Sequence, residues 1–279
     1  MNIVKNINTF LVNFSRFFQF KRAVSILTSL LIIGTVPSSI AEGEKKKSTY
    51  FKRASDLGIT NEALGFEGTY VGLTGGAELG GSKVNTNGTT NNGTTINSHS
   101  DLSHRGLSGG IVAGYGKTVK GVYLGAEVAG ELSNANGKSS FNTENGGNNS
   151  GNVSARKKDS VSVAARIGKQ IDEKTLLYAK AGIASNNYNF SSSIANETAG
   201  VTESASSSKN TRILQPIVGI GLERKIMKLT PKIDLHLGAE YEHSFGKATN
   251  VNLSSSTASG VSKFDTSSDA IKARVLFKF

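Results

Sequence analysis

The 279-residue chain carries 32 Lys and Arg against 21 Asp and Glu, a net charge of +11, with 32 Gly, 3 Pro and neither Cys nor Trp. Without cysteine there are no disulfide staples and no thiolate chemistry. A slightly negative mean hydropathy excludes a protein built from apolar membrane helices.

Residues 1–22 hold Lys5, Arg16, Lys21 and Arg22 and no acid. An apolar run from Ala23 to Val36 follows, then Pro37-Ser38-Ser39-Ile40-Ala41, with small residues where a signal peptidase needs them. Residues 1–41 therefore read as a signal peptide cleaved after Ala41, because the apolar run is short for a membrane span of about 20 residues. Cleavage lowers the net charge from +11 to +7, since it removes those four cations and no acid. Residues 42–65 form a polar basic spacer, with Lys45-Lys46-Lys47 and Lys52-Arg53. Within it, residues 52–65 predict one short helical turn. An exported chain with no basic stretch interleaved with aromatics is not expected to bind nucleic acid.

From Thr69 onward two textures alternate. Strand signals rich in Gly, Ala, Val and aromatics fall at about 69–79, 107–117, 121–132, 159–169, 175–188, 211–224, 232–245 and 268–279. Three connections are short: 118–120, 170–174 and 225–231, the last ending on Pro231. The other four, 80–106, 133–158, 189–210 and 246–267, are dominated by Asn, Ser, Thr and Gly and predict long loops. Loops of twenty residues or more count against a compact soluble domain. Their alternation with short turns around an even number of strands predicts an all-β fold: an eight-stranded antiparallel transmembrane β-barrel with short periplasmic turns and long extracellular loops.

Period-two phasing separates two faces. In the last strand Ile271, Ala273, Val275, Phe277 and Phe279 oppose Ala270, Lys272, Arg274, Leu276 and Lys278. In the third, Val122, Leu124, Ala126 and Val128 oppose Tyr123, Gly125, Glu127, Ala129 and Glu131. An eight-stranded barrel has an interior that side chains can fill. The phases place seven acids there: Glu78, Glu127, Glu131, Glu223, Asp234, Glu240 and Glu242. They also place four bases, Arg166, Lys180, Lys272 and Arg274, and His236. Buried charges persist only when paired, so an ionic network that closes the hole is expected, with Lys272 and Arg274 as partners of Glu78 on the neighbouring first strand. Aromatic girdles are expected to rest on Tyr70, Tyr115, Tyr123, Tyr178, Phe190, Tyr241, Phe245, Phe277 and Phe279.

Three segments carry a resemblance to the small outer-membrane β-barrel superfamily, the eight-stranded OmpA/OmpX/Opa-like group with its porin-family surface antigens. Phe66-Glu67-Gly68-Thr69-Tyr70-Val71-Gly72-Leu73-Thr74-Gly75-Gly76 resembles its opening strand. The loop lengths alternate as they do there. Val275-Leu276-Phe277-Lys278-Phe279 is similar to its C-terminal assembly signal, with Val275, Phe277 and Phe279 as the recognised residues. The resemblance covers 66–279 and implies a barrel domain in the cell outer membrane. It also implies contact with outer-membrane lipids and lipopolysaccharide and with the barrel-assembly machinery.

Enzymatic chemistry is not expected. His99 and His104 read as members of a flexible polar loop, and His236 as part of the ionic network beside Asp234 and Glu240. Glu242-His243-Ser244 mimics a hydrolase triad, but His243 and Ser244 point to opposite faces of a strand. Gly116-Lys117-Thr118 lacks the first glycine of a phosphate loop, since Ile111 stands there. The sequence thus predicts a surface protein with no cofactor or metal, whose long loops serve adhesion, antigenic display or envelope integrity through a host or surface ligand. A narrow porin is the alternative, and a lipid-modifying outer-membrane enzyme a weaker one.

Overall fold

The computed structural model describes residues 65–143, 148–198 and 201–279. The signal segment, Ala41 and the spacer up to residue 64 lie outside them. The described chain is almost entirely strand: β1 (Gly68–Thr90), β2 (Thr95–Val119), β3 (Val122–Ser133), β4 (Asn136–Thr143), β5 (Asn148–Asp172), β6 (Thr175–Thr198), β7 (Val201–Thr230), β8 (Ile233–Ser254) and β9 (Ala258–Lys278). Each strand pairs antiparallel with its chain neighbours, except that β3 and β4 do not pair with each other. β9 pairs with β1 from Tyr70 opposite Lys278 to Thr90 opposite Ala258, so the sheet closes into a ring. β3 and β4 occupy one position of that ring, which makes eight. At the step between them the Asn134 side chain completes the ladder, its Oδ1 accepting the Leu107 amide at 2.7 Å.

The three short turns lie at one end, beside both termini of the barrel. In the β2–β3 turn Lys120 and Gly121 are both at positive φ, as a two-residue primed hairpin requires.

At the other end the four long segments are not loops. β1 and β2 stay in register to Thr89 opposite Thr95, and β6 and β7 to Thr198 opposite Val201. Ring closure gives these backbones their partners, so the turn-like composition does not decide their structure.

The two halves of the wall have opposite polarity. From Thr69 to Leu79 and at matching heights, the outer face is apolar, with Val71, Leu73, Leu107, Ile111, Leu124, Val128, Val163 and Ile167 exposed. Eleven residues on β1 fit the roughly 9–11 of a tilted membrane strand. Beyond Leu79 and Leu107 the outer face becomes Lys83, Asn85, Asn87 and Thr89 on β1, and Arg105, Ser103, Asp101, His99 and Asn97 on β2. The inner face changes in the opposite sense. Here Val84, Leu102, Val153, Tyr188, Phe190, Ile213, Val251 and Phe264 pack into one buried cluster. Ile96, Ile194, Ala205, Leu253 and Ala258 make a second. A membrane barrel with an ionic lumen thus continues into an aqueous barrel with an apolar core.

Two bulges keep the faces correct across this change. A register shift between Lys157 and Asp159 swaps the inward parity of β5 from Ser160, Ala164 and Arg166 to Lys157, Ala155 and Val153. A second, between Ser244 and Lys247, does the same for β8, from Glu240 and Glu242 to Val251 and Leu253.

Candidate functional site: the lumen and its rim

In the membrane half the lumen is filled by side chains in layers. Nearest the termini, Phe66 is fully buried against Tyr123, Leu176 and Tyr178. The Phe66 ring meets His236 edge-on with centroids 5.0 Å apart, and its carbonyl accepts Lys278 Nζ at 2.7 Å. Lys278 Nζ also stands 3.2 Å from Glu223 Oε1, and His236 Nδ1 3.0 Å from the same oxygen. His236 therefore faces Glu223 across the β7–β8 pair rather than its own-strand neighbours Asp234 and Glu240.

The next layer is centred on Arg166. Its guanidinium donates to Glu223 Oε2 and to the Tyr70 hydroxyl, each at 2.9 Å, and lies 3.6 Å above the Tyr178 ring. Tyr70 donates in turn to Glu127 Oε2 at 2.8 Å, and Tyr178 to Glu240 Oε2 at 2.7 Å. Arg274 clamps Glu127 and Glu240 together, and Lys180 holds Glu240 Oε1 and Glu242 Oε2, each at 2.6 Å. Lys272 pairs with Glu131 at 2.8 Å and Glu242 at 3.0 Å. Highest in the stack, Lys157 Nζ donates to Glu78 Oε1 at 2.6 Å while Ser133 donates to the other carboxylate oxygen at 3.1 Å.

Three corrections follow. Glu78 is paired with Lys157, not with Lys272 or Arg274. On β1 those two stand opposite Gly76 and Thr74, which offer no carboxylate, so they reach across the lumen to Glu131 and Glu127. Asp234 is only half-buried; it pairs with Lys225 at the turn end, outside the stack. Tyr70, Tyr123, Tyr178 and Phe190 belong to no lipid-facing girdle: all four are buried inside. Parity carried that signal, because Tyr123 shares its face with Glu127 and Glu131. Gly114, Gly116 and Gly221 are what admit the three tyrosine rings; a Cβ on any of them would collide with Tyr70, Tyr123 or Tyr178 respectively. Tyr115 and Phe279 are exposed on the outer face, and Val275 and Phe277 lie on it half-buried.

The stack thus contains six carboxylates, Glu78, Glu127, Glu131, Glu223, Glu240 and Glu242. Six cations meet them: Lys157, Arg166, Lys180, Lys272, Arg274 and Lys278. The phasing sets Lys278 on the face of Lys272 and Arg274 without counting it among the inward bases, and it leaves out Lys157 because that segment has the composition of a loop.

The remaining histidines are all placed by strands. His99 is exposed on β2, 2.6 Å from Asn85 Oδ1. His104 is buried against Gly80 and the Tyr188 ring, just beyond the membrane half, and not in a flexible loop. Burial pushes its pKa below the ordinary histidine range, against the pull of Glu78. His243 points outward and Ser244 inward, and the His243 partner is Asp269 on β9, 2.8 Å away, which Tyr241 also contacts. That pair spans two strands, so spacing along the chain could not reveal it. Among the described residues no cluster of metal-ligating side chains occurs.

A closed antiparallel ring, an apolar outer belt one membrane high and an ion-paired lumen define the architecture. The fold is that of a small outer-membrane β-barrel. Its place is the outer membrane, with the apolar belt against lipid. No protein-family model and no curated protein matches the chain. Solved structures with a similar path include Neisserial surface protein A, 14% identical, covering 73% of this chain and 97% of that one at a TM-score of 0.30. Escherichia coli outer membrane protease OmpT is 8% identical, covering 79% and 99% at 0.40. Ail, the attachment invasion locus protein of Yersinia pestis, is 16% identical, covering 75% and 99% at 0.24. Likeness at this level carries no argument about ligand or activity.

Proposed function

We propose that the protein is a non-enzymatic, non-conducting surface protein of the outer membrane. Its rigid outer half presents a broad Asn, Ser and Thr face for contacts outside the cell. The observation that carries this is the matched stack of six carboxylates and six cations, interleaved with Phe66, Tyr70, Tyr123 and Tyr178. Each charge meets its opposite inside the wall, so none is left to line a wet path. Above the stack, the apolar clusters around Phe190 and Phe264 close the lumen a second time.

The outer half works as a scaffold of hydrogen-bonded ribbons, not as mobile loops. Its outer face carries amides and hydroxyls with few aromatics, which suits many weak contacts better than one tight partner. Single-channel recording of the refolded protein in planar bilayers tests the plugged lumen: a silent membrane is expected, and stable open steps would overturn it. Cells lacking the protein should retain their solute uptake and attach less well to cultured cells. Slowed uptake with unchanged attachment would favour a pore.

A further inference from the structure

Asn-Gly steps occur in the chain at Asn87, Asn92, Asn136 and Asn145, the last of them outside the described residues. Such a step is chemically labile, because a glycine leaves its own amide nitrogen unshielded beside the asparagine carboxamide. The fold treats the three described steps differently. Asn87-Gly88 lies within β1, where Gly88 is buried and paired with Ile96 on β2 and Gly260 on β9. Asn136-Gly137 opens β4, with Asn136 set between Arg105 and Arg156 and Gly137 buried against the Ser103 backbone. An amide fixed in a sheet cannot turn towards the preceding side chain without local opening.

Asn92-Gly93 stands instead in the β1–β2 turn, exposed at the end of the barrel opposite the short turns. The Gly93 amide donates to the Thr90 carbonyl at 2.9 Å, the Thr90 amide to the Thr94 carbonyl at 3.0 Å, and Gly93 has a φ of 83°. This is the three-residue hairpin loop that ends on a left-handed glycine. The Asn91 amide donates to the Thr257 carbonyl at 2.9 Å and the Asn91 side chain to the Ser256 carbonyl at 2.7 Å, so the β8–β9 connection holds the loop in place. Within it the Asn92 carboxamide is polarised: Oδ1 accepts the Thr94 amide at 2.9 Å and also the Thr90 hydroxyl. Both donors stand where negative charge gathers when Cγ is attacked. The Asn92 amide nitrogen is held loosely, reaching Asn196 Oδ1 at 3.4 Å.

We propose that Asn92-Gly93 is a self-modifying site at which Asn92 deamidates in the folded protein. The Gly93 nitrogen leaves its one turn hydrogen bond and attacks Asn92 Cγ, forming a carbon–nitrogen bond. The Cγ–Nδ2 bond breaks, and ammonia departs with the bonding pair and the Gly93 amide proton. Water then opens the cyclic imide at either carbonyl, giving an aspartyl or an isoaspartyl residue, with no redox change. The product puts a carboxylate at position 92 and removes the donor to Asn196. The β1–β2 turn thereby gains one negative charge and loses its tie to β6, while Asn91 keeps the tie to Ser256 and Thr257.

The test is incubation of the full-length folded protein in detergent at mildly alkaline pH, followed by digestion and electron-transfer mass spectrometry, which separates aspartyl from isoaspartyl products. Asn92 should convert at least about tenfold faster than Asn87 or Asn136, whose glycines must first leave the ladder. In denaturant the three steps should convert within about threefold of one another, because the unfolded chain restrains none of them. Thr90→Val removes one donor to Oδ1 and should slow the conversion of Asn92 in the folded chain at least about threefold. If that variant fails to fold, the wild-type comparison of the three steps decides alone. Asn87 or Asn136 converting as fast as Asn92 in the folded protein would overturn the proposal. So would an intact Asn92 in folded protein under conditions that convert the unfolded chain, or an unchanged rate in folded Thr90→Val.

Discussion

Among the described residues, Lys157 and Glu78 each have the other as ion-pair partner. Both are buried, and their mutual bond is the main compensation for the water each has lost. Lys157→Met therefore strands the Glu78 carboxylate and should destabilise the barrel by about 3–5 kcal/mol, measured by denaturant unfolding in detergent. The double variant Glu78→Met with Lys157→Met removes both charges and should recover most of that loss. A double variant no more stable than the single one would show that the pair is not the main partner of either residue. His104, one layer above, gives a pH dependence of definite sign. Its folded pKa lies below its unfolded value near 6.5, so the folded state disfavours the proton. Stability is therefore fully present above that value and is lost as pH falls through it. His104→Asn should flatten that part of the unfolding profile between about pH 7 and 5.

The strands were legible in the membrane half because alternate residues face lipid and lumen. Glu127 between Ala126 and Val128 cannot be placed any other way. In the outer half the same alternation is present but muted. Val84, Thr86, Ser192 and Ile194 point inward, yet their neighbours are the Asn, Ser, Thr and Gly of turns, and short-range chemistry outvotes a weak period. The bulges add to this, since parity read continuously along β5 or β8 fails at Lys158 or Gly246. Because pairing beyond the bulge is regular, deleting Arg156 should expel Ala155 and Val153 and turn Ser154 inward. The variant is expected to lose the order of the outer half while β5 from Ser160 onward keeps its register. Trypsin applied to intact cells provides the readout. The wild-type chain should resist cleavage at Lys83, Arg105 and Arg212, exposed but locked in paired strands, and the deletion variant should be cut there. Rapid cutting of the wild type would restore the loop reading of these segments.

Two cores with opposite chemistry share one continuous ring of hydrogen bonds, and this decides how far damage spreads. The ionic stack closes on itself below Glu78, and the apolar clusters close on themselves above Val84. Between them lies the hydroxyl contact of Ser82 with Thr266 at 2.8 Å, and just beyond Val84 Ser262 bonds Thr86 at 2.8 Å and Ser192 at 2.7 Å. These are neutral bonds of modest net worth, about 1 kcal/mol each, so they transmit little. Phe190 is stacked between Tyr188 and Phe264, with ring centroids 5.4 and 4.7 Å away, and is the centre of the upper core. Phe190→Ala should cost the outer half about 3–5 kcal/mol, because a large ring leaves a cavity that a closed wall cannot collapse to fill. The lower half should be indifferent: its belt remains in the membrane and its six pairs remain made. The expected phenotype is thus split, with trypsin sites opening at Lys83 and Arg105 while the heat-modifiable barrel band stays at wild-type intensity. Phe279→Glu, at the other end, places a charge on the outer rim where the last strand meets β1, and should reduce assembly of the whole molecule. If Phe190→Ala also abolished membrane assembly, the two halves would have to fold as one unit, and the outer core would be a condition for the barrel and not an addition to it.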